Sequence, residues 1–82
     1  MINATDMIPN QPYQIESIQD SPFLVNFLEI GIFVGKRIKL LHKAPFSGPL
    51  AFEVEGNQVF MRKNEAKMIQ VVPENEFLEV KL

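Results

Sequence analysis

The chain has 82 residues, which is enough for one small domain and leaves no room for a second. Its 46% hydrophobic and 22% charged content is typical of a folded protein, and the absence of Cys excludes a disulfide framework and a thiolate metal site. Eight Lys and Arg against ten Asp and Glu give a net charge of −2, so we expect no nucleic-acid partner.

The beginning of the chain carries no targeting signal. The residues MINATDMIPN lack both the basic and the apolar region of a signal peptide. No apolar run anywhere in the sequence approaches the roughly 20 residues that span a bilayer. We therefore expect a cytoplasmic protein without direct membrane insertion.

One strand and one short helix are predicted next. Residues 13–18 follow a proline-broken segment and have the composition of a strand. Ser21 followed by Pro22 predicts the start of a helix over residues 23–30, and Gly31 predicts its end, because glycine enters the left-handed cap without a Cβ penalty. Apolar residues surround most of this helix, so we expect part of its apolar surface to remain outside the core.

Three further strands follow from changes of period. Residues 35–43 and 50–55 alternate between apolar and polar side chains, which is the pattern of half-buried strands. Gly56-Asn57 is a two-residue turn signal that leads into a strand at residues 59–61. Together these segments predict a three-stranded meander.

The tip between the first two of these strands reads APFSGP. Pro45 and Pro49 bracket it, and proline is placed at strand ends because it cannot donate to a ladder. We expect Gly48 to take the positive φ angle that such a tip requires. The prolines thus fix the geometry of the tip.

The last elements complete the predicted fold. Asn64 is the expected cap of one helical turn, and a closing strand follows at residues 68–72. Five short strands, one helix after the first and a helical turn before the last predict a mainly β protein, a small closed barrel. The tail at residues 73–82 has apolar residues at every second position near its end, a pattern that fits an extra strand in this molecule or in a neighbouring one.

Several segments in this order resemble the FeoA family, and the resemblance covers residues 5–72. The segments are Phe27-Leu28-Glu29-Ile30-Gly31-Ile32 with Gly35, then Lys43-Ala44-Pro45 with Pro49 and Gly56, then Met61-Arg62-Lys63-Asn64-Glu65-Ala66 with Ile69 and Val71. The resemblance implies an SH3-like barrel that accompanies FeoB, a membrane ferrous-iron transporter with a cytoplasmic GTP-binding domain. It implies a non-enzymatic accessory protein of ferrous iron uptake that docks on the cytoplasmic face of such a transporter. Any association with Fe²⁺ is implied by this resemblance only.

The phenylalanines are candidates for a partner-binding patch. There are seven, and a small barrel has few interior positions for them. Phe46 lies at the hairpin tip and Phe60 alternates with its apolar neighbours, so both are expected to be exposed together with one face of the helix that carries Phe23 and Phe27. The alternative is that the helix and the tail cover them.

Two arginines, Arg37 and Arg62, complete the candidate contacts. An inserted arginine can stabilise a transferred phosphoryl group, so either one could act on a GTPase partner. The alternatives are a charge at the rim and, for Arg62, an interaction with Glu65 three residues later.

The remaining ionisable residues do not form a catalytic or metal site in the sequence. His42 is the single histidine, and without Cys or a second His it lacks the partners of a metal site. Glu53 and Glu55 lie two residues apart on one strand face and are expected to be solvated. We therefore predict no catalytic residue, no bound metal and no cofactor.

Three alternatives remain open at this stage. The SH3-like domain of an iron-dependent repressor has similar strands, but this chain lacks a helix-turn-helix half and a basic face. A reader of proline-rich peptides uses a groove of aromatic rings that includes Trp, which is absent here. A self-assembling module without a transporter partner is favoured if the tail pairs across subunits of a homo-oligomer.

Overall fold

The alternating segments do form strands, and these join one antiparallel sheet in the computed structural model, which describes residues 2–75. The strands are β1 (Ile2–Asn3), β2 (Pro12–Ile18), β3 (Arg37–Lys43), β4 (Leu50–Val54), β5 (Asn57–Met61) and β6 (Ile69–Pro73). Their spatial order is β1-β6-β2-β3-β4-β5. Helix α1 (Leu24–Glu29) lies between β2 and β3, and helix α2 (Lys63–Ala66) lies between β5 and β6.

The mainly β fold is confirmed, with two differences in the sheet. The sequence predicts five strands and the structure has six, because β1 pairs with β6 through the register Ile2 to Val71. A strand of two residues is too short to show any periodicity, which is why the sequence does not reveal it. The sheet is also not closed, since β1 and β5 do not pair with each other within residues 2–75.

The core lies between the inner face of this sheet and α1. The largest fully buried side chains are those of Tyr13, Phe27, Phe52, Ile15, Ile32, Ile38, Leu40, Ile69 and Val71. The buried phenol oxygen of Tyr13 accepts a hydrogen bond from the backbone N–H of Ile8, at 3.0 Å. This bond pays for burying a polar group, so the ring fills the core without an unpaired hydroxyl.

Helix α1 lies within the predicted range 23–30, but its cap position is Phe23, two residues after the predicted Ser21. The hydroxyl of Ser21 accepts a hydrogen bond from the N–H of Phe23, at 3.2 Å. At the other end Gly31 has φ of 87° and its N–H bonds to the carbonyl of Leu28, while the N–H of Ile32 bonds to the carbonyl of Phe27. This pair of bonds is a Schellman motif, and it directs Ile32 into the core.

The hairpin tip between β3 and β4 differs from the prediction in one respect. Phe46 and Ser47 carry the positive φ angles, 57° and 61°, and the N–H of Gly48 bonds to the carbonyl of Pro45 at 3.2 Å. These features define a type I′ turn with two non-glycine residues at its centre. Gly48 has no positive φ; it is required because a Cβ there would lie 2.7 Å from the Cβ of Ala44.

The turn between β4 and β5 lies one residue earlier than the sequence predicts. The turn between β4 and β5 has Glu55 and Gly56 at its centre, with φ of 48° and 86°, and Asn57 already pairs with Val54. The Glu55 carboxylate accepts a hydrogen bond from the Arg37 N–H at 3.1 Å, which ties this turn to β3. The sequence places the turn one residue too late, because Gly56-Asn57 and Glu55-Gly56 differ only in the strength of the turn signal.

The cap of α2 is also two residues earlier than predicted. The cap position is Arg62 and not Asn64, and the Glu65 carboxylate accepts a hydrogen bond from the Arg62 backbone N–H at 2.8 Å. The expected interaction between Arg62 and Glu65 therefore exists through the backbone of Arg62.

The predicted extra strand in the tail lies largely outside the described residues, which end at residue 75.

Replacing Phe27 with Ala is expected to lower the free energy of unfolding by about 3 to 5 kcal/mol, because the ring is 1% exposed and its removal leaves a cavity. Leu28→Ala is the matched control, since its neighbouring side chain is exposed, and its cost should stay below about 1 kcal/mol. Urea denaturation of the three proteins measures both values. Equal losses for the two variants would contradict the placement of Phe27.

Replacing Phe46 with Asn is expected to raise the free energy of unfolding by up to about 1 kcal/mol, because Asn tolerates the left-handed conformation better than Phe. The ring is fully exposed, so its loss should cost nothing. Phe46→Ala separates the two effects, since it removes the ring without relieving the backbone, and its stability should match the parent. A clear loss of stability in both variants would show that the ring packs on the domain.

Candidate docking surfaces

Apolar side chains cover the outer side of α1 and the loop that follows it. We call this the helix surface; it consists of Val25, Leu28, Ile30, Phe33 and Val34. The exposed fraction of these side chains lies between 42% and 62%. Large exposed apolar residues are ordinary when scattered, but five within ten consecutive positions form a patch of the kind that meets another molecule.

The geometry of α1 explains why these residues point outward. The helix has six residues, and it directs one large side chain, Phe27, fully into the core. The Schellman turn then directs Ile32 into the core. Ile30, before the turn, and Phe33, after Ile32, are directed away from the core and are exposed. The ammonium of Lys36 lies 5.9 Å from the centroid of the Phe33 ring, which places a cation at the border of the helix surface.

The two helix phenylalanines predicted for the patch occupy different environments. Phe27 is 1% exposed, so its selection as a contact residue is wrong: the sheet needs this ring to fill its core. Phe23 is half-buried and packs against the core, with its ring centroid 6.4 Å from that of Phe27. The part of α1 that can meet a partner is therefore the side that carries Val25 and Leu28.

Phe46 and Phe60 are both exposed, as the sequence predicts. Phe46 is fully exposed at the tip of the β3–β4 hairpin, and Phe60 is 61% exposed on the outer face of β5. Phe60 pairs across the strands with Ala51, which also pairs with His42. Ala51 is buried although it faces outward, because its small side chain lies between these two larger ones.

A groove with a positive lining lies between the hairpin tip and α2. It consists of two adjoining depressions that share Ser47, Gly48 and Lys63. Arg62 lines one depression and Lys43 lines the other. We call this the basic groove, because three cations and no carboxylate line it, although the whole chain has a net charge of −2.

The structure brings three of the predicted contact residues to this end of the sheet. Arg62 lines the basic groove, Phe46 is the chain neighbour of Ser47 at its edge, and Phe60 lies two residues before Arg62 along an extended chain. Residues two apart in an extended chain point to the same side, so Phe60 and Arg62 share a face. Two exposed aromatic residues therefore lie within two positions of residues that line the basic groove.

Arg37 lies at the opposite end of β3. Its guanidinium forms an ion pair with the Glu74 carboxylate, with 3.2 Å between Nη2 and Oε2. It lines a depression of mixed charge together with Lys39, Glu53 and Glu55. Arg37 is therefore separated from Phe46, Phe60 and Arg62 by about the length of a strand.

The remaining ionisable residues show no arrangement for metal binding. His42 is exposed, and Glu53 is half-buried between its cross-strand partners Lys39 and Gln58. Within residues 2–75, His, Asp and Glu side chains form no group of three or more that could hold a metal ion. That the protein binds no metal or cofactor stays a prediction.

Sequence reasoning missed most of the helix surface and two cations of the basic groove. The sequence contains a signal for the helix surface, because apolar residues surround α1. The prediction of contact residues named the aromatic Phe23 and Phe27, however, and not the aliphatic Leu28 and Ile30. Lys43 and Lys63 are 20 positions apart in the chain, so their proximity depends on the strand pairing, which a single sequence does not give.

Neither α1 nor α2 has the length and apolar character that crossing a membrane demands, and no other helix within residues 2–75 does.

Comparison with known proteins identifies the family. The model of the FeoA domain family matches residues 3–73. Among solved structures, iron(II) transport protein A from Clostridium thermocellum superposes with a TM-score of 0.82 at 23% identity, covering 90% of this chain and 46% of that one. The FeoA-like protein from Clostridium acetobutylicum superposes with a TM-score of 0.80 at 27% identity, covering 89% and 86%. Among curated protein sequences, none matches this chain.

Two further structures describe the fold. FeoA from Stenotrophomonas maltophilia, solved with zinc and described as a prokaryotic SH3 domain protein, has a TM-score of 0.75 at 23% identity, covering 88% of this chain and 91% of that one. A manganese-dependent transcriptional repressor has a TM-score of 0.80 at 22% identity, covering 87% and 40%. At this identity both show the fold alone, and the description of the S. maltophilia structure supports an SH3-like fold.

The match to the family model decides the classification. It extends over residues 3–73 of 82, and so includes strands β2 to β6 in full and the second residue of β1. The resemblance carried by the glycines, the prolines and the MRKNEA segment is confirmed. The chain belongs to the FeoA family.

Proposed function

We propose that this protein is a non-enzymatic accessory protein of ferrous iron uptake that docks on the cytoplasmic part of a FeoB-like, GTP-dependent transporter. The family supports a role in iron transport, and the S. maltophilia relative is described as a candidate activating factor of ferrous iron transport. The single observation that supports docking is the helix surface. An accessory protein needs such a patch, and this domain exposes one.

The helix surface has the composition of an interface centre. Its five members are aliphatic or aromatic, and the charges beside them are the exposed Glu29, between Leu28 and Ile30, and the Lys36 ammonium next to the Phe33 ring. Interface centres are poor in charge and surrounded by a polar rim, which this arrangement reproduces. We therefore assign the contact with the transporter to Val25, Leu28 and Phe33 first.

An arginine that acts on the partner's GTPase site is less favoured. Arg37 is engaged with Glu74, and Arg62 lies in the basic groove, away from α1. A residue that stabilises a transferred phosphoryl group must reach into another active site from an interface. Neither arginine belongs to the helix surface, so accessory action is proposed to depend on docking alone.

The second candidate function is an SH3-like module without a transporter partner, as in a metal-dependent repressor. The superposition with a manganese-dependent repressor favours it. The two α-helices within residues 2–75 have six and four residues, which is shorter than the helices of a helix-turn-helix unit. This chain also covers only 40% of that repressor, so its likeness concerns one domain of a larger protein.

Calorimetric titration of the protein into the detergent-solubilised transporter, and into its isolated GTP-binding domain, tests the proposal. We expect binding to at least one of them. Val25→Asp should weaken it at least about tenfold, because an unpaired charge would enter an apolar interface. Ile8→Asp is the matched control, since Ile8 is equally exposed but outside the helix surface, and its affinity should stay within about twofold.

The possible outcomes test the proposed function and the assigned contact surface independently. No binding to either form of the transporter would overturn the proposed function. Binding that Val25→Asp leaves intact, but that Phe46→Ala or Phe60→Ala weakens, would keep the function and move the contact to the hairpin tip. Thermal unfolding of each variant establishes that a loss of binding does not come from unfolding.

A further inference from the structure

The basic groove is a second surface, separate from the helix surface, and nothing in the accessory role accounts for it. Lys43, Arg62 and Lys63 are all exposed, and they line adjoining depressions beside the hairpin tip. Like charges held close together on a protein of net charge −2 repel one another, which costs stability. An acidic ligand would remove this cost.

The hairpin tip gives a second, independent indication of a ligand. Phe46 is fully exposed and its backbone has φ of 57°, a conformation that bulky residues rarely adopt. Backbone strain of this kind gathers at binding sites, where the surrounding structure maintains it. The ring contributes no burial to the domain, so it is accessible to another molecule.

We propose that the basic groove binds the acidic segment at residues 76–79 of a second copy of this chain. The segment reads Glu76-Phe77-Leu78-Glu79, with one carboxylate on each side of two large apolar side chains. The groove offers cations, and the exposed residues Phe46 and Phe60 lie close in sequence to its lining residues Ser47 and Arg62. Charge and apolar contacts can thus form together.

The length of the chain excludes the same molecule as the source of both carboxylates. Glu74 is held at the Arg37 end of β3 by an ion pair, while Lys43 is at the other end. Six residue steps along a strand cover about 20 Å. Glu76 is two residues beyond Glu74, so its chain reaches at most about 7 Å from there. Glu76 and Glu79 can therefore enter the groove together only from another copy.

This geometry allows two modes of association. The groove and Glu74, which precedes the acidic segment, lie at opposite ends of the sheet. Two antiparallel copies can therefore exchange segments in a closed dimer, or successive copies can associate head-to-tail in rings or open chains. Exposed ion pairs are weak and screened by salt, so we expect a Kd on the order of 0.1 mM that rises with salt.

A charge-swap experiment with full-length chains tests the proposal. One variant reverses the groove with Lys43→Glu and Lys63→Glu, and the other reverses the tail with Glu76→Lys and Glu79→Lys. Lys63 begins α2, where a carboxylate is favoured by the helix dipole, so the groove variant should remain folded. Sedimentation velocity over a concentration series compares the parent, each variant alone and their mixture.

We expect concentration-dependent association of the parent, monomers of each variant alone, and renewed association when the two are mixed, because each reversed site then meets an opposite charge. A labelled peptide of residues 74–82 should bind the parent and lose at least about tenfold in affinity for the groove variant. A parent that remains monomeric, or association that survives both reversals, would overturn the proposal. Renewed association in the mixture excludes misfolding as the cause of the losses.

Discussion

The burial of Phe27 determines which side chains of α1 and the following loop are exposed to solvent. A domain of this size has room for few large side chains, and the sheet takes one from a helix of six residues. Once Phe27 points inward and the Schellman motif turns Ile32 inward after it, the residues between and around them must face water. The exposed apolar side of α1 is therefore a geometric result of filling the core, and it is the surface to which we assign the proposed contact with a partner.

The two ends of the sheet have different chemistry. At one end, the turn between β4 and β5 and the root of the tail are joined to Arg37 by carboxylates, so positive and negative charges are paired. At the other end, Lys43, Arg62 and Lys63 lie close together without a carboxylate in the lining. This separation of charge along the strands gives the domain a polarity that its overall composition does not show.

Much of the fold could be predicted from the sequence, because the signals that specify it are local. Alternation located the inward faces of β3 and β4, and Gly31 located the end of α1. The errors arose where geometry depends on distant partners: β1 exists because β6 is available to pair with it, and Gly48 is required by the approach of Ala44. For the same reason the sequence identified Phe46 and Phe60 as exposed but placed Phe27 wrongly. Periodicity alone does not say which of several apolar faces a sheet will accept.

The construction of the hairpin tip has a consequence for the entropy of binding. Pro45 and Pro49 fix the backbone at both sides of the tip, and the close approach of Gly48 to Ala44 keeps the turn in one shape. Only the two side-chain torsions of Phe46 remain to be ordered when a ligand arrives, and a rigid aromatic ring loses little freedom. Because the tip is already ordered, binding to it carries a smaller entropic cost. It can therefore give a specific interaction from a small contact area.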